Sequence, residues 1–449
     1  MALRGLTVNS QGQLLRDGVR FRNVGLNYPG AIVRIYTQAS PTACDYTTGA
    51  EQDAMLAIAV AMKVKVLRVK VMPYWPAQWR YGVNGGVAGV AAVAADREAH
   101  YVKIDAFVAK CSALGIGVIM NMFFRYLSPC DLAGQTGRAG WLNAGATRTY
   151  VTSVTQEIVT RYLTSDAVYG YEWSNEVNNY NDASDTTRGA YPSVNTTYGS
   201  AASYSAANDL FVGSELSTII SWWYGIVSAI DSQRIVLTGN GPNSYSQPGG
   251  IAGITTPMGE WHKEQVRDNP TNCGSIHYYG NLGYGSNNFR GLNALLTGAR
   301  HWQRASGRAF VLGEFGNQPW PITAIAAGSG TATFTVSAQC PVEVGDAFVA
   351  NGTSFDGPYT VATINAARDT ITATSSASGS WSGNVKGLQF MTGARVTRMC
   401  DNIIKSGTDV ALFWMIDSDA GRPNYESIDS DANADQRAAI LAANTSLGW

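Results

Sequence analysis

The sequence predicts an α/β chain folded as a (β/α)8 TIM barrel, with a small all-β domain inserted after strand seven. Three observations predict it. Apolar runs rich in β-branched residues alternate with longer segments of helical period, as in repeated βα units around a parallel sheet. Eight such runs can be counted along the 449 residues. Between the seventh run and the helix due after it, composition shifts to Thr, Ser, Ala, Gly and Val.

Taken in order, Leu6 to Asp17 reads as a hairpin capping the barrel bottom, and strand one follows as Arg20 to Asn27. Helix Glu51 to Met62 leads into strand two, Val64 to Val71. Helix Arg97 to Leu114 ends at Gly115, a residue suited to a helix stop, and strand three runs from Gly117 to Phe123. Helix Thr147 to Leu163 precedes strand four, Val168 to Trp173. A long helix containing Trp222 and Trp223 leads to strand five, Arg234 to Thr238, and strand six is Gly274 to Tyr278. Helix Gly291 to Ser306 precedes strand seven, Ala309 to Gly313; strand eight is Asp409 to Ile416, with a last helix near Ala434 to Ala443. The insertion, residues 322–387, carries alternating runs such as Thr333-Phe-Thr-Val and Thr370-Ile-Thr-Ala-Thr, which read as strands. The barrel domain is therefore residues 1–321 with 388–449. Loops after barrel strands emerge on one face, so an insertion there stands beside any site on that face.

Composition narrows the function classes. Hydrophobic residues make up 45% and charged residues 14%, enough for a large core. With 32 Lys+Arg against 33 Asp+Glu the net charge is −1, which argues against nucleic acid or an anionic lipid surface as partner. No window approaches the roughly 18 uninterrupted apolar residues of a membrane span. The opening residues lack the basic start and apolar core of an export signal, so none is expected, and localisation stays open. The six cysteines are scattered and read as buried thiols, with a Cys44–Cys130 bridge as the alternative. Four dispersed histidines and a degenerate acidic run, Asp429 to Asp435, give no metal site, and no cofactor motif is present; the acidic run reads as helix capping.

Two strings carry chemistry. Tyr171-Glu-Trp-Ser-Asn-Glu-Val places Asn175 and Glu176 at the C-terminal end of strand four, and Val311-Leu-Gly-Glu-Phe-Gly places Glu314 at the same end of strand seven. Carboxylates at the ends of buried strands are costly unless used or neutralised. Strands four and seven face each other across a barrel, so these side chains should converge over its opening. Two carboxyls about 5–5.5 Å apart suit double displacement at a sugar anomeric carbon. Glu172 should point into the barrel as a partner for Arg68 or another base. Aromatic residues crowd the same face, Tyr74, Trp75 and Trp79 after strand two, Trp261 before strand six and Trp320 after strand seven, where flat rings could stack on pyranose faces or simply pack long loops.

On these residues the chain resembles glycoside hydrolase clan A, and most of all the cellulase-type family 5 enzymes. The resemblance implies that Glu176 is the general acid/base, Glu314 the nucleophile and Asn175 the partner of the substrate 2-hydroxyl. It likewise implies that Arg68, in Val66-Leu-Arg-Val, keeps Glu314 ionised. His277 and Tyr279, in Ser275-Ile-His-Tyr-Tyr, match a His-x-Tyr motif whose phenol contacts the nucleophile, and Trp414, in Leu412-Phe-Trp-Met, matches the aromatic floor under the reacting sugar. Val177 stands where proline is common. Asn121 stands where the third strand often ends in histidine, and is expected to substitute as a donor on the acceptor side.

The implied activity is a retaining endo-β-glycosidase acting on a polysaccharide without cofactor or metal, Glu314 ionised and Glu176 protonated. A catalytically silent carbohydrate-binding or tail-structural protein is the alternative, and a Schiff-base aldolase using Lys70 a more distant one. The insertion more loosely resembles small β modules of bacteriophage tail proteins, through Val344-Gly-Asp-Ala-Phe-Val and Gly357-Pro-Tyr-Thr-Val. That resemblance implies a virion-associated enzyme acting outside the cell, with other virion proteins as partners of the inserted domain.

Overall fold

The computed structural model describes residues 4–34, 44–74, 94–177, 211, 213–240, 271–279, 288–316, 320–336, 340, 342, 344–350, 353–389, 393–417, 428–429 and 433–449. The chain opens with a small antiparallel sheet of β1 (Thr7–Val8), β2 (Leu14–Arg16) and β3 (Val19–Arg20). Parallel strands β4 (Asn23–Asn27), β5 (Val66–Lys70), β6 (Gly117–Phe123), β7 (Val168–Ser174), β8 (Ile235–Leu237), β9 (Cys273–Tyr279) and β10 (Ala309–Gly316) follow. Six antiparallel strands come next: β11 (Trp320–Gly328), β12 (Thr331–Val336), β13 (Ala347–Ala350), β14 (Gly357–Ile364), β15 (Thr370–Thr374) and β16 (Gly379–Gln389). They close on themselves as a second, smaller barrel in the order β11-β12-β15-β14-β13-β16. Strand β17 (Val410–Phe413) then completes the eight-stranded parallel sheet, ordered β8-β7-β6-β5-β4-β17-β10-β9.

Around the large sheet lie α1 (Gly49–Ala61), α2 (Ala94–Ala113), α3 (Leu127–Ala133), α4 (Gly137–Leu142), α5 (Ala146–Tyr162), α6 (Gly213–Ser228), α7 (Asn288–Ser306), α8 (Gly393–Ser406) and α9 (Ala434–Ser446). Helix α1 starts at a capping box: Thr48 Oγ1 accepts from Glu51 N, and Glu51 Oε2 accepts from Thr48 N at 2.8 Å. After α2, Gly115 adopts the left-handed conformation expected of a stop, at φ 66°. Helices α3 and α4 were not legible in the sequence. Asn433 precedes α9 without capping it through its side chain, Asp435 Oδ1 accepts from Gln436 N at 2.8 Å, and residues 430–432 of the acidic run lie outside the described residues. All six cysteines are free and buried, so the Cys44–Cys130 alternative is set aside. Among the described residues no helix is long and apolar enough to cross a membrane.

The sheet becomes a barrel at β8 and β9, where, among the described residues, side chains supplement a bridge between Asn240 and Ile276. Asn272 Oδ1 accepts from Val236 N at 2.8 Å, its Nδ2 donates to Arg234 O at 2.9 Å, and Ser275 Oγ accepts from Gly239 N at 2.9 Å. Inside the lower barrel, Val66, Ile119, Tyr169, Ile235, Val311, Val410 and Leu412 form one apolar cluster, with Leu6, Leu14 and Phe21 from the opening segment filling the bottom. Outward-facing residues such as Leu67, Val69, Val118 and Met120 pack against the helices in a second cluster. The small barrel has its own core, including Ile325, Phe334, Phe348 and Ile371.

Two irregularities set which way the site residues point. On β7 the pairing with β6 slips between Val168 and Gly170, and on β10 the pairing with β9 slips between Leu312 and Glu314. Each slip inserts one residue and reverses the inside-outside alternation beyond it. Tyr169 and Val311 belong to the barrel interior, so strict alternation would turn Glu172 and Glu314 outward. With the extra residue both turn in, toward Arg68.

The first strand is locked to the C-terminal helix through Asn444. Its Oδ1 accepts from Asn23 Nδ2 at 3.0 Å and Val24 N at 2.9 Å, and its Nδ2 donates to Val24 O and Met62 O, both at 3.0 Å. Asn444→Ala leaves buried backbone groups without partners and is expected to cost about 2–4 kcal/mol, read as a lower midpoint in urea unfolding. An unchanged midpoint would show that these bonds contribute nothing net.

Candidate active site

The upper layer of the barrel interior is polar. Arg68, projecting inward from β5, is buried at its centre. Its Nε donates to Glu172 Oε2, its Nη1 to Glu314 Oε1 at 2.7 Å and Asn27 Oδ1 at 2.9 Å, and its Nη2 to Asn175 Oδ1 at 2.7 Å. Burial alone would push this guanidinium down; Glu172 and then Glu314 more than offset that, and it is held above its ordinary value. Asn27 is fixed in turn by donating to Gly313 O at 3.1 Å.

Glu176 lies just past β7 with a left-handed backbone, φ 54°, unusual for a residue with a side chain. Its N donates to Gly239 O at 2.7 Å. Gly239 also has positive φ, and a Cβ there would lie 1.8 Å from Ser174 O, so only glycine allows β7 and β8 to end this close together.

His277 stands between the two candidate carboxylates. Its Nδ1 lies 2.7 Å from Glu176 Oε1 and 3.3 Å from Glu314 Oε2. Burial pushes the imidazole down to about 4, against a smaller upward pull from Glu314. It is neutral near pH 7, and Nδ1 is the ring nitrogen turned to both carboxylates. The side chain of Glu314 is 3% exposed and that of Glu176 22%, so the nucleophile candidate sits at the base and the acid candidate nearer solvent.

One donor atom from each of Glu176, His277 and Glu314 lies within 4.8 Å of the others. Such a trio has the spacing to hold a cation. However, Arg68 already places a fixed positive charge on Glu314, so the donor set suits hydrogen bonding better than metal ligation.

The structure brings Arg68, Asn175, Glu176, His277 and Glu314 together. Asn121 is fully buried beneath them, donating to Glu172 Oε2 at 2.7 Å and Ser174 O at 2.9 Å, so it does not face the acceptor side as expected. Its amide is drawn inward by the carboxylate next to it. Trp414 sits partly exposed just past β17, its N donating to Phe315 O at 2.9 Å, and the Trp414–Met415 peptide is cis. Trp75, Trp79 and Trp261 lie outside the described residues, as do the side chains of Tyr279 and Trp320. Asn27 was missed by sequence reasoning, although a polar residue ending an otherwise apolar strand was the available signal.

The family profile for cellulase, glycosyl hydrolase family 5, matches residues 33–320. Among solved structures, the endo-1,4-β-mannanase from Rhizomucor miehei is 10% identical, covering 98% of this chain and 99% of its own, at TM-score 0.53. The hyperthermostable endo-1,4-β-D-mannanase from Thermotoga petrophila RKU-1 is 15% identical, covering 95% and 99%, at TM-score 0.54. The glycoside hydrolase family 5 mannosidase from Rhizomucor miehei is 9% identical, covering 99% and 98%, also at 0.54. At such identities the likeness shows a shared fold. No curated protein sequence matches the chain significantly.

The buried histidines make stability depend on pH. His100 donates from Nε2 to Val71 O at 2.8 Å and, as a neutral ring, accepts at Nδ1 from Tyr46 OH at 2.9 Å, and burial pushes it, like His277, down to about 4 from 6.5. Between those values the unfolded chain binds protons that the folded chain refuses, so stability is full above about pH 6.5 and falls as the pH drops toward 4. His100→Gln is expected to remove about one proton's worth of that slope. Urea unfolding between pH 7 and 5 measures it, and an unchanged slope would mean that His100 is not held neutral.

Proposed function

The chain belongs to glycosyl hydrolase family 5, and on that premise we propose that this retaining glycoside hydrolase is an endo-acting β-glycosidase that cleaves a polysaccharide, with Glu314 as nucleophile and Glu176 as acid/base. The observation that carries the assignment is the approach of Glu176 and Glu314 oxygens to within 4.8 Å across the barrel mouth. Carboxyls that meet this closely, with His277 Nδ1 at 2.7 Å and 3.3 Å from them, favour double displacement over the roughly 6.5–9.5 Å separation of carboxyls that seats a water between a base and the sugar.

In the first step Glu314, favoured as an anion by Arg68, attacks the anomeric carbon as the bond to the leaving oxygen breaks and Glu176 protonates that oxygen. In the second step Glu176, now a carboxylate, takes a proton from water, the water oxygen bonds to the same carbon, and the ester to Glu314 breaks. Two inversions give net retention. Asn175 accepts from Arg68 through Oδ1, so its Nδ2 is the end turned to a substrate hydroxyl. Partly exposed Trp414, at the end of β17, is assigned the apolar face of the reacting sugar.

The strands of the small barrel run two residues past the expected bounds at each end, so the catalytic unit in this reading is residues 1–319 with 390–449, and residues 320–389 are a separate module; the independent apolar core of the small barrel supports the division. Its first strand starts at Trp320, six residues past Glu314, which supports a role in holding substrate beside the site.

The test is product release from a panel of β-1,4-mannan, β-1,4-glucan and bacterial β-glycans, with anomeric configuration followed by NMR. The panel includes mannan because two of the proteins sharing the fold are named mannanases. Wild type is expected to give β product first, and Glu314→Gln to lose roughly three orders of magnitude or more in kcat. Glu176→Gln should lose about 10²–10⁴-fold on polysaccharide and far less on an aryl glycoside whose leaving group needs no protonation. Inverted product, or equal release by wild type and Glu314→Gln, would overturn the assignment.

A further inference from the structure

The double displacement leaves one acidic group of the site unused. Glu172 is fully buried, accepts from Arg68 Nε and from Asn121 Nδ2 at 2.7 Å, and lies too deep to meet a sugar. A buried carboxylate with no task is costly, so the charges around it need accounting. Arg68 carries one positive charge, while Glu172 and Glu314 both bind it. In the free enzyme the three sum to one negative charge. When Glu314 becomes a glycosyl ester, the remaining Arg68–Glu172 pair is neutral. Without Glu172 the same step would leave Arg68 as a lone buried cation, the situation that breaking a buried ion pair makes expensive.

We propose that Glu172 is the standing counter-charge of Arg68, a positioning residue that keeps the guanidinium neutralised while Glu314 alternates between carboxylate and ester. This rests on the reading of Glu314 as the nucleophile. Two consequences follow from the same count. The extra negative charge restrains Arg68 from stabilising the Glu314 anion so strongly that it becomes a poor nucleophile. It also leaves the site with net negative charge when positive charge develops on the sugar in the transition state.

No other described group supplies this charge. His277 of β9 is neutral, and burial, followed by Glu172 itself, pushes the Cys273 thiol on the same strand well above its ordinary value. Lys70, two residues along β5, donates to Val33 O at 2.9 Å, and Glu176 bonds His277 rather than Arg68. Asn27, Asn121 and Asn175 complete the shell as neutral amides. Asn121, buried against Glu172 Oε2, fixes that carboxylate on the Arg68 side.

The experiment compares wild type, Glu172→Gln and Glu172→Asp by the pH profile of kcat/KM, on whichever polysaccharide or aryl β-glycoside the wild type turns over, with thermal melting to establish folding. The acidic limb reports ionisation of the nucleophile in the free enzyme. In Glu172→Gln, Arg68 serves Glu314 alone, so Glu314 ionises more easily and the limb should move down by about one pH unit. The plateau should fall about tenfold or more, in kcat more than in KM. Glu172→Asp keeps the charge but draws it back, so it should show the same shift to a smaller degree. If Glu172→Gln yields no folded protein, the limb of Glu172→Asp decides. A lowered plateau with every limb at the wild-type position would show a purely structural role and overturn the proposal, as would a limb that moves up. Failure of the nucleophile assignment would show differently, as product release by Glu314→Gln equal to wild type.

Discussion

One buried cation organises the top of this barrel. Arg68 reaches Asn27 on β4, Glu172 on β7, Asn175 just past β7 and Glu314 on β10 from its own place on β5, so a single guanidinium spans the mouth of the closed sheet. Its planar fork provides donors in fixed directions, and lysine could not serve the same acceptors. Removing a charge from water is costly, and the cost is offset here only because carboxylates and amide oxygens surround it on several sides. The lower interior needs no such arrangement, being filled by aliphatic and aromatic side chains. The barrel therefore divides along its axis into an apolar half that stabilises the fold and a polar half that the fold must support.

That support depends on irregular backbone. The slips at Gly170 and Gly313 turn Glu172 and Glu314 into the barrel; glycine is required at Gly170 for want of space, and at Gly313 a side chain would crowd the His277 ring. A Cβ at Gly170 would lie 2.3 Å from Ile235 Cγ1, and one at Gly313 would lie 3.0 Å from the His277 ring. The left-handed turn at Glu176 continues the pattern, held by Gly239 O across the end of β8. Each carboxylate is thus aimed by a local departure from strand geometry, while the regular strands fix how deep it sits.

This separation explains what the sequence revealed. The eight strands were legible because a parallel sheet covered on both sides leaves apolar runs that turn residues cannot imitate. The inserted barrel was legible from its threonine-rich alternation. Glu176 and Glu314 stood out as acids at the ends of such runs, and Arg68 as a cation within one. The inward turn of Glu172 toward Arg68 was expected, but the slips that produce it were not legible, because a slip of one residue leaves composition unchanged; the glycines in Tyr169-Gly-Tyr and Leu312-Gly-Glu were the trace available. Nor could sequence place His277 between the carboxylates or turn Asn121 toward Glu172. Both positions depend on register between strands far apart in the chain.

The inserted barrel obeys the same economy of position. Its first and last strands, β11 and β16, pair antiparallel, with Trp320 opposite Leu388, so entry and exit lie side by side. The large barrel therefore meets the insertion as one closed loop between β10 and α8, and neither element has to be pulled from its place. Arg398 of α8 bonds Asp346 of the insertion at 2.9 Å, adding a second tie to the helix that follows it. With β10 ending two residues past Glu314, the small barrel is tethered at the one strand whose end carries the nucleophile candidate. The buried charges of Arg68, Glu172 and Glu314 lie inside the large barrel, so that tether leaves them untouched.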